Sequence, residues 1–208
     1  MPDFSFEQAA IVDGRTRIAG VDEAGRGPLS GPVVAAAVVL RPDTMTDTVW
    51  DRLDDSKRMT DKARALLYDV IVATADVGIG IADTNIIEDL NILGATMKAM
   101  ADAVDALGTS PDHVLIDGNR MPKLPCSAET IVKGDGKSLS IAAASVIAKV
   151  TRDRIMSDLN EQYPGYGWDR NAGYGTAEHL DALKRLGVTP HHRKSFAPVR
   201  KILSPADS

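Results

Sequence analysis

The feature that most constrains the fold is GPVVAAAVVL at positions 31–40, an uninterrupted run of small and apolar residues. A run of this length that is rich in valine and carries no charge is typical of a strand buried within a sheet. It is too short for a membrane-spanning helix, which needs roughly 18–20 apolar residues, and no other segment reaches that length. We therefore expect a sheet-based globular protein in the cytoplasm, with no signal peptide and no membrane segment.

Apolar periodicity along the 208 residues predicts an α/β fold in a single domain. A glycine- and proline-rich piece turns the chain before the apolar run, so we expect the first two strands to be antiparallel. The predicted strands cover 15–22, 31–40, 76–83, 112–118 and 128–135, and the predicted helices cover 60–75, 84–107 (as one helix or two), 138–163 and 175–187. The domain is expected to have a core over about 15–163 and a C-terminal extension over about 164–208, with loops at 164–175 and 188–208.

The charge of the chain is unevenly distributed. The net charge of the chain is −5. Residues 1–115 hold 10 Lys/Arg and 19 Asp/Glu and carry −9, whereas residues 116–208 hold 14 Lys/Arg and 10 Asp/Glu and carry +4. The basic excess is densest in KRLGVTPHHRKSFAPVRK at 184–201, which has no acidic residue. This run is either a solvated surface or a patch that faces nucleic-acid phosphates. A single cysteine, Cys126, excludes an internal disulfide framework.

Acidic residues stand at the ends of three predicted strands: Asp22 with Glu23, then Asp117, then Asp135. Strand ends at one edge of an open α/β sheet form the ligand crevice of such folds, so we expect these four carboxylates to converge. A divalent metal ion with oxygen ligands compensates their repulsion, which favours Mg²⁺ or Mn²⁺ over zinc. Two such ions would clamp the attacking and leaving oxygens of a phosphodiester. The alternative, in which each acid is paired with an arginine or a helix N-terminus, stays open at this stage.

Three further features are compatible with nucleic-acid binding. Gly25, Arg26 and Gly27 allow the backbone to approach a ligand closely, although a tight turn before the next proline explains the glycines as well. Lys57 is either a phosphate ligand or a residue of a surface loop. Tyr174 lies between glycines in a predicted loop, where it offers a stacking surface or packs structurally.

The sequence resembles the type 2 ribonucleases H, specifically the bacterial ribonuclease HII family, in six blocks that follow the order and spacing of that family. Together the blocks cover most of the chain and are far more specific than any one of them. They are GVDEAGRGPLSGPVVAAAVVL (20–40), DDSKRMT (54–60), LNILGATMKAM (90–100), LIDGNRMPKLP (115–125), KGDGKSLSIAAASVIAKVTRDR (133–154) and GYGTAEHLDALKRLGVTPHHRKSFAPV (173–199). One departure is Gly175, where the family motif has proline.

The resemblance implies a ribonuclease H-like fold, in which helices flank a five-stranded mixed sheet and a helical C-terminal extension follows. It implies that Asp22, Glu23, Asp117 and Asp135 are catalytic carboxylates that bind Mg²⁺ or Mn²⁺, with two ions during catalysis. The implied activity is that of a metal-dependent endoribonuclease, which cuts the RNA strand of RNA/DNA hybrids and the 5′ side of single ribonucleotides in duplex DNA. Its products carry 3′-hydroxyl and 5′-phosphate ends.

The resemblance also implies how the substrate is recognised. Gly25, Arg26 and Gly27 would contact the 2′-hydroxyl, the group that distinguishes RNA from DNA. Tyr174 would stack on the sugar after the ribonucleotide, and Lys57 would contact a phosphate. The implied partners are RNA/DNA hybrids and ribonucleotide-containing duplex DNA, bound by a monomer.

Three alternatives remain for the function. A ribonuclease HIII-like enzyme would cut hybrids without junction specificity, but it carries an extra N-terminal domain, for which the roughly 20 residues before the first strand leave no room. A non-catalytic hybrid-binding module would lack one or more of the four carboxylates. Another two-metal nuclease of similar fold would lack the Gly-Arg-Gly motif and the tyrosine. All three rank below ribonuclease HII.

Overall fold

One mixed sheet forms the centre of the molecule. The computed structural model describes residues 2–41, 53 and 60–204, and the sheet lies within these ranges. Its strands are β1 (Ile18–Ala24), β2 (Val33–Val39), β3 (Asp76–Ala82), β4 (His113–Asp117) and β5 (Ser127–Ile131). They lie in the order β3-β2-β1-β4-β5; β2 is antiparallel to β1 and β3, whereas β4 is parallel to β1 and β5. The five predicted strands and the antiparallel first pair are confirmed.

Helices cover both faces of this sheet. In the described ranges they are α1 (Ser5–Val12), α2 (Asp61–Thr74), α3 (Thr84–Asp105), α4 (Leu139–Gln162), α5 (Trp168–Asn171), α6 (Ala177–Leu186) and α7 (Ala197–Leu203). α3 contributes to the core on one face, and α2 and α4 contribute to the core on the other. A third core, around Trp168, joins the end of α4 to the C-terminal helices. The α/β fold with a helical C-terminal part is confirmed, whereas the boundary between core and extension stays a prediction.

β2 is buried along its whole length, as the apolar run predicts, because both of its faces are covered. Ala35 and Ala37 belong to the core on the α3 side, whereas Ala36 and Val38 belong to the core on the α4 side. Side chains alternate between the faces of a strand, so a strand with a helix on each side has no polar alternation. The small alanines also let the helices approach the sheet closely.

Side-chain caps explain where the long helices begin. Thr60, Asp83 and Ser138 each accept a hydrogen bond from the amide three residues later, and so cap α2, α3 and α4. The cap predicted at Thr60 is thus confirmed. α3 is interrupted at Asn91, whose φ of 58° is left-handed and whose side chain accepts from the amides that follow. None of the helices in the described part of the chain has both the length and the hydrophobicity to cross a membrane.

Short elements at both ends of the chain were not expected from the sequence. α1 lies before the first predicted strand, and tertiary contacts hold it: the Glu7 carboxylate accepts hydrogen bonds from the hydroxyls of Ser138 and Ser140. α5 and α7 lie in segments predicted as loops. α7 has a proline in its first turn, where proline is compatible with a helix. Such short helices depend on contacts with the rest of the fold, which local periodicity does not contain.

α4 lies directly on β1, because Gly20 leaves room for the helix backbone. A β-carbon on Gly20 would lie 2.1 Å from the carbonyl carbon of Ser140 and 2.3 Å from the amide nitrogen of Ile141. Both are backbone atoms, which cannot rotate aside as the end of a side chain can. The glycine therefore sets the distance between α4 and the strand that carries Asp22 two residues later.

Gly20→Ala is expected to lower the free energy of unfolding by about 3 kcal/mol, because the added methyl group overpacks the contact between strand and helix. Gly108→Ala is the control, since a β-carbon there would meet its nearest neighbour, Oδ1 of Asp76, at an ordinary 3.6 Å. Denaturant unfolding followed by circular dichroism measures both. Equal losses in the two variants would contradict this account of the helix packing.

Candidate active site

A pocket of about 450 Å³ opens at the edge of the sheet where β1 and β4 end. It brings together eight of the nine site residues predicted from the sequence, namely Asp22, Glu23, Gly25, Arg26, Gly27, Asp117, Asp135 and Tyr174. The ninth, Lys57, lies outside the residues that the structure describes. The fold thus gathers residues from distant parts of the chain at one place, while the role of each stays a prediction.

The pairing of β1 with β4 brings two of the acids side by side. The strands are parallel, and Val21 lies opposite Ile116. Asp22 and Asp117 form the next pair in this register, so their backbones are separated by roughly one inter-strand spacing, about 4.8 Å. Because side chains alternate along a strand, Asp22 projects to the same face as Gly20, towards α4.

Asp135 reaches the pocket from a turn, which corrects the prediction that it ends a strand. β5 ends at Ile131, and Asp135 lies in the 3-10 turn Gly134–Gly136. The amide of Gly134 donates a 2.6 Å hydrogen bond to Oδ1 of Asp117. The carboxylate at the end of β4 therefore also holds the turn that carries Asp135.

Burial and neighbouring charges determine the ionisation of Asp22. The residue is only 7% exposed, and burial raises its pKa well above the ordinary value for aspartate. The charges of Glu23, Asp117 and Asp135 raise the pKa further, whereas a 2.7 Å hydrogen bond from the Glu23 amide offsets part of the rise. Ionised Asp22 is thus unfavourable in this pocket unless a cation compensates its charge.

The oxygen atoms of the pocket fit a divalent cation chemically. Oε1 of Glu23 accepts a 3.1 Å hydrogen bond from Arg26, while Oε2 is buried and accepts none from any residue in the described ranges. Burial raises the pKa of Glu23, and Arg26 limits that rise. Carboxylate oxygens are the ligands that Mg²⁺ and Mn²⁺ prefer.

Within the described ranges, however, no three His, Cys, Asp or Glu side chains form a ready-made metal cluster. The acids share a pocket without forming a closed set of ligands.

The segment after β1 leaves its backbone open beside an aromatic ring. Gly25 has a left-handed φ of +98°, and a β-carbon there would lie 2.0 Å from Nε of Arg152, so the local geometry requires glycine. A β-carbon on Gly27 would lie 3.4 Å from Cε1 of Tyr174, and no side chain separates that ring from the glycine. The side chain of Arg26 is 53% exposed and Tyr174 is 50% exposed, so both are available to a ligand.

Two buried arginines, neither of them predicted from the sequence, hold the segment 25–32 between β1 and β2. Arg193 donates to the carbonyl oxygens of Gly25 (2.5 Å), Arg26 (2.9 Å), Gly31 (2.9 and 3.0 Å) and Pro32 (3.2 Å). Arg152 donates to those of Ser30 (3.1 Å), Pro32 (3.0 Å) and Ala172 (2.9 Å). Burial lowers the pKa of Arg193 to about 9 and that of Arg152 to about 10, so both guanidinium groups stay charged near neutral pH.

The position of Arg193 corrects one interpretation of the basic run at 184–201. Its guanidinium points into the protein, so this residue belongs neither to a solvated surface nor to a phosphate-facing patch. Its partners lie 161–168 residues away along the chain, and no local pattern predicts them. Arg152 did have a signal, because it lies four residues from both Ala148 and Met156, on the buried face of α4.

A mixed five-stranded sheet with acids at its edge is the arrangement expected of a nuclease of the ribonuclease H class. A family model described as Ribonuclease HII matches residues 19–199. The Ribonuclease HII of Paramagnetospirillum magneticum is 56% identical over 205 residues, which cover 98% of this chain and 99% of that protein. The chain therefore belongs to the ribonuclease HII family.

Solved structures agree with this assignment in their fold. The ribonuclease H2 from Pyrococcus horikoshii OT3 superposes with a TM-score of 0.74 at 25% identity, covering 90% of this chain and 97% of that chain. Bst-RNase HIII, crystallised in complex with Mn²⁺, superposes with a TM-score of 0.70 at 20% identity, covering 93% of this chain and 71% of that chain. The ribonuclease H-like fold is confirmed.

Arg193→Met is expected to lower the free energy of unfolding by about 3 kcal/mol, because buried carbonyl groups lose charge-assisted hydrogen bonds. Lys194→Met is the matched control, since Lys194 is exposed and directly follows in the sequence. Denaturant unfolding of both variants provides the comparison. A loss in Arg193→Met no larger than that in Lys194→Met would show that the guanidinium does not hold the segment.

Proposed function

We propose that this chain uses a divalent metal ion to hydrolyse the phosphodiester bond on the 5′ side of a ribonucleotide within duplex nucleic acid, leaving 3′-hydroxyl and 5′-phosphate ends. Membership of the ribonuclease HII family establishes that the chain is an endoribonuclease of the ribonuclease H2 type, which acts on RNA/DNA hybrids. The proposed position of the cut rests on one observation: the acids share a pocket with the Gly25–Gly27 segment and Tyr174.

Enzymes of this family depend on divalent metal ions, and for this chain we propose Mg²⁺ or Mn²⁺, with Asp22, Glu23, Asp117 and Asp135 as ligands. Bound ions would lower the pKa of the attacking water and stabilise charge on the leaving 3′-oxygen. The chain itself holds Asp22 and Asp117 in fixed register through the sheet. It holds Asp135 through the bond between Asp117 and the Gly134 amide. No histidine lines the pocket among the described residues, and we propose that the acids orient the attacking water there.

Recognition of the ribonucleotide is assigned to the segment after β1. The 2′-hydroxyl is the group that marks RNA, and we propose that Gly25, Arg26 and Gly27 contact it, with the backbone at Gly27 free of any side chain that would keep it away. The exposed side chain of Arg26 is proposed to contact the same nucleotide. Tyr174, half exposed beside Gly27, is proposed to stack on the following sugar, where a 2′-hydroxyl would be unwelcome.

Other partners and the setting of the enzyme are also proposals. We expect a monomer that acts in the cytoplasm on RNA/DNA hybrids and on DNA with embedded ribonucleotides. Lys149 of α4 lines the pocket beside the acids and is a candidate phosphate contact, although it also pairs with Asp153 at 2.7 Å. Lys57 remains a proposed phosphate contact outside the described residues. Phosphate contacts of this kind would make the affinity depend on salt.

Cleavage of a labelled DNA duplex with one ribonucleotide, in Mg²⁺ or Mn²⁺, is the decisive assay. We expect one cut on the 5′ side of the ribonucleotide, no cut in an all-DNA duplex, and at least a roughly thousandfold loss of rate in Asp22→Asn, since an essential ligand is removed. Cleavage of long hybrids alone would support the ribonuclease HIII-like alternative. Absence of any metal-dependent cleavage would leave a hybrid-binding module.

Asp22→Asn is also expected to stabilise the metal-free protein by about 1 kcal/mol, a rise in melting temperature of about 2–4 °C, because it removes one of several like charges while keeping the acceptor oxygen. Added Mg²⁺ should then raise the melting temperature of the wild type more than that of the variant. Asp181→Asn, which removes an exposed acid outside the pocket, controls for net charge. A metal-free variant less stable than the wild type would contradict the account of repulsion.

A further inference from the structure

A buried line of hydrogen bonds connects the C-terminal segment to Tyr174 and has no role in the site described so far. Nδ1 of His192 lies 3.0 Å from the amide nitrogen of Thr189, and its Nε2 lies 3.1 Å from Nε2 of His179. Nδ1 of His179 lies 2.9 Å from the carbonyl oxygen of Tyr174. The indole N–H of Trp168 also donates to Nε2 of His179, at 3.1 Å. Trp168 and both histidines are at most 1% exposed.

The partners assign each ring proton in this line. The Thr189 amide only donates, so Nδ1 of His192 accepts and the proton of His192 sits on Nε2. The Trp168 indole only donates, so Nε2 of His179 is the acceptor, and its one lone pair is shared between Trp168 and the Nε2 proton of His192. The proton of His179 therefore sits on Nδ1 and is donated to the carbonyl of Tyr174. One pair of tautomers satisfies all of these contacts.

Both imidazole rings are neutral near neutral pH, as this line requires. Burial lowers the pKa of His179. Burial, with a further contribution from the neighbouring His179, lowers the pKa of His192 to about 4. A second proton on His179 would remove the acceptor that Trp168 and His192 share. Burial of the rings therefore favours the same protonation states as the hydrogen bonds.

The line ends at a carbonyl whose contacts determine how firmly Tyr174 is held. This oxygen accepts from the His179 ring and, at 2.8 Å, from the amide of Thr176. The next residue, Gly175, leaves the backbone freer to rotate than a proline would. The Tyr174 ring itself is half exposed and lies beside Gly27, so packing of the ring does not fix it fully.

We infer that His179 is a positioning residue, which holds Tyr174 in the orientation that distinguishes a deoxynucleotide from a ribonucleotide at the position after the cleaved ribonucleotide, and that the bonds from Trp168 and His192 keep its ring proton on Nδ1. The inference rests on the proposed function of Tyr174. Filling the interior does not require this arrangement, since apolar side chains of similar volume often replace buried polar groups without loss of stability. A network of hydrogen bonds instead has a defined geometry, and here it fixes the orientation of the Tyr174 carbonyl group.

A matched pair of substitutions at His179 separates positioning from packing. In His179→Asn the side-chain amide nitrogen takes the place of Nδ1, so the bond to Tyr174 is kept and the bonds to Trp168 and His192 are lost. In His179→Gln the amide reaches the place of Nε2, so the bonds to Trp168 and His192 are kept and the bond to Tyr174 is lost. Both side chains are neutral, polar and smaller than histidine.

The measured quantity is a ratio of kcat/KM values: that for a duplex with one ribonucleotide followed by deoxynucleotides, divided by that for the same duplex with an all-RNA strand. We expect His179→Gln to lower this ratio about five- to tenfold, and His179→Asn to keep it within about twofold, as expected for one lost hydrogen bond. Equal changes in the two variants, or no change in either, would overturn the inference.

Tyr174→Ala separates failure of this inference from failure of the proposed function. If Tyr174→Ala leaves the ratio unchanged, Tyr174 does not discriminate at this position, and both the proposed role and the inference are wrong. If Tyr174→Ala lowers the ratio while both variants of His179 leave it unchanged, only the positioning role is wrong.

NMR of the imidazole nitrogens in the wild-type protein tests the line even where a variant does not fold. We expect the proton on Nδ1 in His179 and on Nε2 in His192, with both rings singly protonated at neutral pH. The opposite tautomer in either ring, or a doubly protonated ring, would overturn the inference.

Discussion

The contact between α4 and β1 at Gly20 is the constraint on which the rest of the structure depends. Because no β-carbon separates the two backbones, the helix lies against the strand, and whatever follows on each element is brought to the same place. On the strand this is Asp22, and on the helix it is Lys149, which lines the same pocket. One turn later Arg152 reaches the carbonyls of Ser30 and Pro32. The close contact between α4 and β1 therefore aligns Asp22 with Lys149, and it also places Arg152 where it supports the segment after β1.

Holding acids together requires a rigid element, and the sheet provides it. Burial and like charges both raise the pKa of Asp22, which means that the folded, metal-free protein is less stable than it would be with a neutral side chain there. The strand register does not relax to relieve this, because β1 is paired on both sides, with β2 and with β4. If the acids bind a cation as proposed, they are held in place before it binds, and the extensive core around β2 and α4 offsets the stability that they cost.

The sequence was sufficient for the elements of the sheet and for the acids, because both signals are local. An apolar run without charges predicts β2, and carboxylates at the ends of predicted strands predict where Asp22 and Asp117 lie. The turn that carries Asp135 was mistaken for strand, since its geometry depends on a bond from Gly134 to a residue 17 positions earlier. His192 and Arg193 were missed for the same reason: in the sequence they belong to a basic run, and only distant partners show that they are buried. Family resemblance implied roles that local patterns leave open, but it did not reveal these supports.

The two elements assigned to substrate recognition share one support, although they are far apart in sequence. His192 pairs with Ser30 in an isolated β-bridge, and Arg193 follows directly, donating to the carbonyl groups of Gly25 and Arg26. Through His179, His192 also reaches the carbonyl of Tyr174. Two adjacent residues of the C-terminal segment therefore connect to both the segment after β1 and the tyrosine, whereas the sheet holds Asp22 and Asp117. Because different elements carry the two proposed tasks, we expect a change in the C-terminal segment to alter which nucleotide is accepted while the groups assigned to hydrolysis keep their geometry.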